Sequence, residues 1–84
     1  MKLVWSEASW DDYLSWQRLD KKILKKINAL IKEIKRDPFE GIGKPEPLKH
    51  ELSGCWSRRI SDEHRLVYEV VDESIFIISC KYHY

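Results

Sequence analysis

Six aliphatic side chains, Ile23, Leu24, Ile27, Leu30, Ile31 and Ile34, recur at offsets of 0, 1, 4, 7, 8 and 11. That spacing lines one side of an α-helix, so the segment must set a long apolar stripe against a partner. Lysines fill its other side. Asp20 stands where a helix N-cap is wanted. Asp37-Pro38 ends the helix, because the residue before proline resists the helical region and proline lacks an amide hydrogen. A chain of 84 residues buries only about 60% of its unfolded surface. One helix of this length therefore commits much of the architecture.

The partners of the stripe are predicted on both sides of it. Lys2 to Trp5 reads as a short first strand. Ser6 can cap a helix with Glu7 in its first turn. Trp10, Tyr13, Leu14 and Gln17 then give that helix an aromatic inner face to about Gln17. Few residues separate the two helices, so they should form an antiparallel hairpin. After the loop, Cys55 to Ser61, Arg65 to Val71 and Ser74 to Tyr82 are strand-like runs. Asp62-Glu63-His64 and Asp72-Glu73 break them as hairpins. The expected fold is α+β. A short N-terminal strand and a two-helix hairpin pack on one face of a small twisted antiparallel sheet, and residues 1–84 form one domain.

Composition narrows the function. The net charge is only +1, but residues 20–36 carry seven basic side chains against Asp20 and Glu33. Such a basic face is a footprint for a polyanion. It is also what a solvated helix surface looks like. Cys55 and Cys80 are far apart and lack metal-ligand spacing, so they read as reduced thiols, with no metal and no cofactor expected. No signal peptide and no membrane span are expected, which points to a cytoplasmic protein.

All three prolines and all three glycines lie in residues 37–54. Both ends of this stretch belong to one small domain, so it reads as a functional loop braced by proline. Pro45-Glu46-Pro47 fixes the backbone on both sides of one carboxylate. Strand residues alternate faces. If Ile60, Leu66 and Phe76 line the core, then Arg59, Arg65, Lys81 and His83 project together onto the uncovered face. This requires odd-length hairpin loops. Arg58 would then sit at the core rim, with only snorkelling of its charged end to accommodate it.

An uncovered face with those residues, overhung by Glu46 and Lys49, holds the parts for cleavage of a ribonucleotide linkage. A carboxylate can take the proton of an attacking 2′-hydroxyl, and a histidine can protonate the leaving 5′-oxygen. Arginine and lysine can hold the charge that builds on phosphorus. Tyr82 or Tyr84 can stack on a base. The same residues would also make a basic, non-catalytic nucleic-acid-binding face.

Several segments together resemble the YoeB branch of the RelE-type bacterial toxins. They are Lys2-Leu-Val-Trp-Ser-Glu, Trp10-Asp-Asp-Tyr, Pro38-Phe-Glu-Gly and Gly43-Lys-Pro-Glu-Pro-Leu-Lys-His50. Trp56-Ser-Arg-Arg-Ile60, Glu63-His-Arg-Leu-Val-Tyr68 and Lys81-Tyr-His-Tyr84 complete the set. The resemblance implies an endoribonuclease that cuts mRNA in the A site of the 70S ribosome and is neutralised by a cognate antitoxin. A homodimer is also suggested. It implies Glu46 as general base, His83 as general acid and Arg65 as transition-state stabiliser. Lys49 and Arg59 would assist, and Tyr84 would shape the site. Lys81 stands where an arginine would offer bidentate geometry. Two other readings stay open: a same-fold poison of a protein target, like the gyrase-directed relatives, and a non-toxic nucleic-acid-binding module.

Overall fold

The computed structural model describes residues 1–82. In chain order it contains β1 (Lys2–Trp5), α1 (Glu7–Leu19), α2 (Lys21–Arg36), β2 (Glu46–Pro47), a single 3₁₀ turn (His50–Leu52), β3 (Cys55–Arg59), β4 (Arg65–Val71) and β5 (Ser74–Ser79). The strands form one sheet in the order β1-β5-β4-β3-β2. The two helices lie on one of its faces, as expected. β1 adds to the antiparallel strands in parallel, pairing Lys2–Trp5 with Ser74–Ile77, so the sheet is mixed.

The helix boundaries follow their caps. Asp20 extends its carboxylate back over α2 and accepts from the amides of Lys22 and Ile23. α2 ends at Arg36, and Asp37 is its C-cap. Ile27, Leu30, Ile31 and Ile34 are buried in the core with Leu66, Tyr68, Ile75 and Ile77 of the sheet. The first helix differs from its expected face. Ser6 and Ser9 form a reciprocal capping box, each side chain accepting from the other's amide at 3.0 Å. This box buries Ser9 and turns Trp16 inward, leaving Trp10 43% and Leu14 40% exposed. The inner face is thus Ser9, Tyr13 and Trp16. Trp10 packs at the sheet edge with Trp5 and Tyr13, ring centroids 4.8–5.4 Å apart.

The last strand also departs from the expected face, for a reason of register. Arg59 pairs with Arg65 across five intervening residues, an odd loop. Val71 pairs with Ser74 across only Asp72 and Glu73, an even loop. Ile75 and Ile77 therefore face the helices, and Phe76 does not. A β-bulge then restores the expected parity. Tyr68 pairs with Ile77 but Val67 with Ser79, so Ile78 is the extra residue and lies 41% exposed. Bulges reset which face a strand presents. Beyond this one, Ser79 shares a face with Val67, and Cys80 is buried in the core as expected.

Arg58 has a role that snorkelling does not describe. Its side chain is fully buried. Nε donates to the Tyr68 hydroxyl at 3.1 Å, and Nη1 donates to the Ile42 carbonyl at 3.0 Å. Nη2 donates to the carbonyls of Asp37 at 2.7 Å and Glu40 at 2.9 Å. Tyr68 in turn donates to the Pro38 carbonyl at 2.7 Å. A buried cation is tolerated when its donors are satisfied. Here they are met by the loop that leaves α2, so one side chain gathers residues 37–42 onto the sheet.

The loop next passes Gly43, whose φ is +85°. A Cβ there would lie 2.7 Å from Leu30 Cδ2 and 3.1 Å from Arg58 Cβ. Gly43→Ala is therefore expected to lower stability by about 1–3 kcal/mol, through a disfavoured backbone and an overpacked neighbour. Chemical unfolding measures this. A midpoint equal to that of the parent would show that the loop can move aside.

Candidate active site

The proline-braced carboxylate lies on the sheet itself. Glu46 and Pro47 form an edge strand against β3, with Glu46 opposite Ser57 and Pro47 opposite Trp56. Proline is tolerated at an edge, where no further ladder bond is needed. Directly opposed residues share a face. Glu46 thus lies on the face of Ser57 and Val67, away from the helices. Leu48 and Leu52 fold back over Cys55 and Val67 as a small second core, so this face is partly covered. Residues 46–52 themselves form a groove of about 340 Å³, lined by Glu46, Lys49, His50 and Leu52.

Arg59 and Arg65 are directly opposed on the same face, two pairs along from Ser57 and Val67. Arg59 is therefore the diagonal neighbour of Glu46, and such neighbours lie roughly 7–8 Å apart. The Arg59 amide donates to the Gly43 carbonyl at 2.6 Å, which fixes the edge strand to β3. Arg65 is held more firmly. Its Nη1 donates to the carbonyls of Ser61 at 2.5 Å and His64 at 3.0 Å. The β3–β4 turn thus aims the guanidinium. Arg59 also lines a second hollow of about 230 Å³ with Lys26, Lys44 and Asp62, which extends the basic surface toward α2.

The segment after β5 is stitched to both layers. Trp16 Nε1 donates to the Cys80 carbonyl at 3.1 Å. The Tyr82 amide donates to His64 Nδ1 at 2.7 Å, and the Tyr82 carbonyl accepts from the Arg65 amide at 3.1 Å. Tyr82 is thereby brought to Arg65. Lys81 is not where alternation would put it. β5 ends at Ser79, and the Lys81 ammonium donates to Ser15 Oγ of α1 at 3.2 Å, 5.1 Å from the centre of the Trp16 ring. It lies beside the first helix instead of beside Arg59. The expectations for His83 and Tyr84 fall outside the described residues.

Burial pushes the Cys80 thiol up to about 12. A thiol is reactive only as thiolate. Cys80 should therefore resist iodoacetamide in the folded protein at pH 8 and label rapidly in guanidinium. Mass spectrometry of the labelled peptide checks this, and fast labelling without denaturant would contradict it. The sign of the linkage is alkaline. The neutral thiol stabilises the fold below the unfolded value, and this contribution fades from about pH 9 toward pH 12.

Together Glu46 and Lys49 share one groove, Arg59 and Arg65 stand across one register pair, and Tyr82 is bonded to Arg65. His64 and Arg58 are organising residues to which the sequence reading gave no such role: it placed the first in a hairpin break and the second at the core rim. A histidine next to an arginine at a strand start was the only available signal for the first.

The family model for a YoeB-like toxin of bacterial type II toxin-antitoxin systems matches residues 5–84. The chain belongs to this family. Toxin YoeB of Escherichia coli (strain K12) is 70% identical over 84 residues, covering all of both chains. The solved YoeB/ParE toxin from Agrobacterium tumefaciens is 55% identical with a TM-score of 0.97, again covering both chains fully. Two Staphylococcus aureus structures, a YoeB–YefM complex and a YoeB dimer, are 53% and 54% identical, each with a TM-score of 0.92. Each covers 100% of this chain and 98% of theirs. A YoeB-like toxin of this kind has its two helices packed on a mixed five-stranded sheet. Among the described residues no helix is long and apolar enough to cross a membrane.

Proposed function

We propose that this chain is a cytoplasmic endoribonuclease that cuts mRNA in the ribosomal A site without a metal ion. Glu46 takes the proton from the ribose 2′-hydroxyl, and the oxygen attacks the adjacent phosphorus. The bond to the 5′-oxygen breaks, and His83 supplies the proton that this leaving oxygen needs. The products are a 2′,3′-cyclic phosphate and a free 5′-hydroxyl. Because the nucleophile is a hydroxyl of the substrate, DNA is not cut. Arg65 stabilises the charge on the pentacovalent phosphorus, with Arg59 and Lys49 on either side. Tyr82 and Tyr84 stack on or shape the nucleotide, and Lys81 adds positive charge at the margin.

The observation that carries this reading is the alignment of Glu46, Arg59 and Arg65 on one sheet face with Tyr82 bonded to Arg65. The basic side of α2 faces ribosomal RNA, whose phosphates attract it. The ribosome holds the mRNA in line for attack, which supplies part of the barrier lowering. A YefM-type antitoxin neutralises the chain, which also forms a homodimer; the Staphylococcus aureus complex and dimer support both.

Toeprinting on ribosomes programmed with a defined mRNA tests the reading. Addition of the protein should give truncated mRNA with an end inside the A-site codon, and EDTA-treated protein should cut equally well. Intact mRNA with inhibited growth would favour a protein target. Intact mRNA with normal growth would favour the non-toxic binding module.

A further inference from the structure

We infer that His64 is a positioning residue that holds the tail in its working place through a neutral imidazole acceptor. This inference rests on the ribonuclease reading only for its effect on cleavage. His64 is buried immediately before β4, with its ring 4.7 Å from Trp16 in an edge-on contact and 5.4 Å from Tyr82. Its own amide donates to Ser61 Oγ at 3.2 Å. Its carbonyl accepts from the Ile60 amide at 3.0 Å and from Arg65 Nη1 at 3.0 Å. The backbone of His64 therefore closes the β3–β4 turn and orients Arg65, which leaves its ring for another task.

That task is the Tyr82 amide, which donates to Nδ1 at 2.7 Å. An amide can donate there only if Nδ1 keeps its lone pair, so the proton of the neutral ring is on Nε2. The next residue completes the clamp, since the Arg65 amide donates to the Tyr82 carbonyl at 3.1 Å. The adjacent residues His64 and Arg65, at the entry to β4, thus grip both polar groups of one residue in the tail. Tyr82 has φ of +63°, a left-handed conformation that residues other than glycine seldom hold. A conformation of this kind persists when its surroundings over-determine it. The clamp turns the chain just before residue 83, and it uses the same strand start that aims Arg65. His64 therefore couples the placement of the tail to that of the guanidinium.

Two variants separate this role from simple packing. Asparagine carries its amide oxygen on Cγ, as histidine carries Nδ1, so His64→Asn keeps an acceptor at that point. His64→Gln places its oxygen one bond further out and loses it. Single-turnover cleavage on programmed ribosomes should stay within about threefold of wild type for His64→Asn and fall about 10²-fold for His64→Gln, since a misplacement of about 1 Å can cost that much. Ribosome binding should be unchanged in both.

Hydrogen exchange by NMR gives a readout independent of activity. The Tyr82 amide should be protected in wild type and His64→Asn and exchange rapidly in His64→Gln. Nitrogen-15 shifts of the wild-type ring should show the Nε2–H tautomer. Equal cleavage by the two variants, or equal exchange at Tyr82, would overturn the inference, as would an Nδ1–H tautomer. If the wild type cuts no mRNA, the ribonuclease reading fails, and the exchange and tautomer results alone decide whether His64 anchors the tail.

Discussion

Arg58→Leu should lower the folding stability by about 3 kcal/mol or more, and the loop from residue 37 to 42 should come loose with it. Leucine fills part of the space but donates nothing. The carbonyls of Asp37, Glu40 and Ile42 and the hydroxyl of Tyr68 lose their common partner. Hydrogen bonds to a charged group contribute about 1.5–3 kcal/mol each, and several fail here at once, although some carbonyls can turn to water. A chain of this length is stable by roughly 4–13 kcal/mol at typical values per residue. The loss is thus a large share of the total. Urea unfolding should show a midpoint more than about 1 M lower. Arg58→Lys should recover little, because an ammonium cannot reach three directions as the planar fork does. A leucine variant with the parental midpoint would mean that the carbonyls are as well served by solvent.

The second large effect is chemical. Glu46→Gln should slow single-turnover cleavage by about 10²-fold or more, and His83→Ala should do the same, with ribosome binding nearly intact. Glu46 is exposed on a two-residue edge strand, so its replacement should shift stability by no more than about 0.5 kcal/mol. Stability and rate therefore separate, in contrast to Arg58. Glutamine keeps the shape of the side chain but removes its negative charge and its capacity to take a proton. Rates within threefold of wild type would remove Glu46 from the role of base. A loss confined to ribosome affinity would make it a binding residue. Growth inhibition that survives His83→Ala would favour a poison acting through its surface.

The parts of the fold legible in the sequence are those fixed by local spacing. The stripe from Ile23 to Ile34 and the cap at Asp20 depend only on neighbours within a turn or two. Pro45-Glu46-Pro47 was legible for the same reason: two fixed backbone angles act on the residue between them. What was not legible depends on one residue of register or on distant backbone. The faces of Ile75, Phe76 and Ile77 turn on a two-residue hairpin and on a bulge at Ile78, and strand propensity records neither. Trp10 and Leu14 suggested an inner face that the Ser6–Ser9 box rotates away. The partners of Arg58 are carbonyls, which every residue has, so no pattern of side chains announces them. His64 read as part of a polar turn because its contacts, Trp16 and Tyr82, come from opposite ends of the chain.

The parallel pairing of β1 with β5 also bears on how the protein is born. Lys2 faces Ser74 across the ladder, so β1 cannot take its place in the sheet until β5, far along the chain, has been made. Closing so wide a loop is entropically costly and makes this step late in folding. Until that pairing forms, the two helices lack a completed platform beneath them. Destructive capacity toward translation therefore arises only once that pairing has closed and the platform beneath the helices is whole.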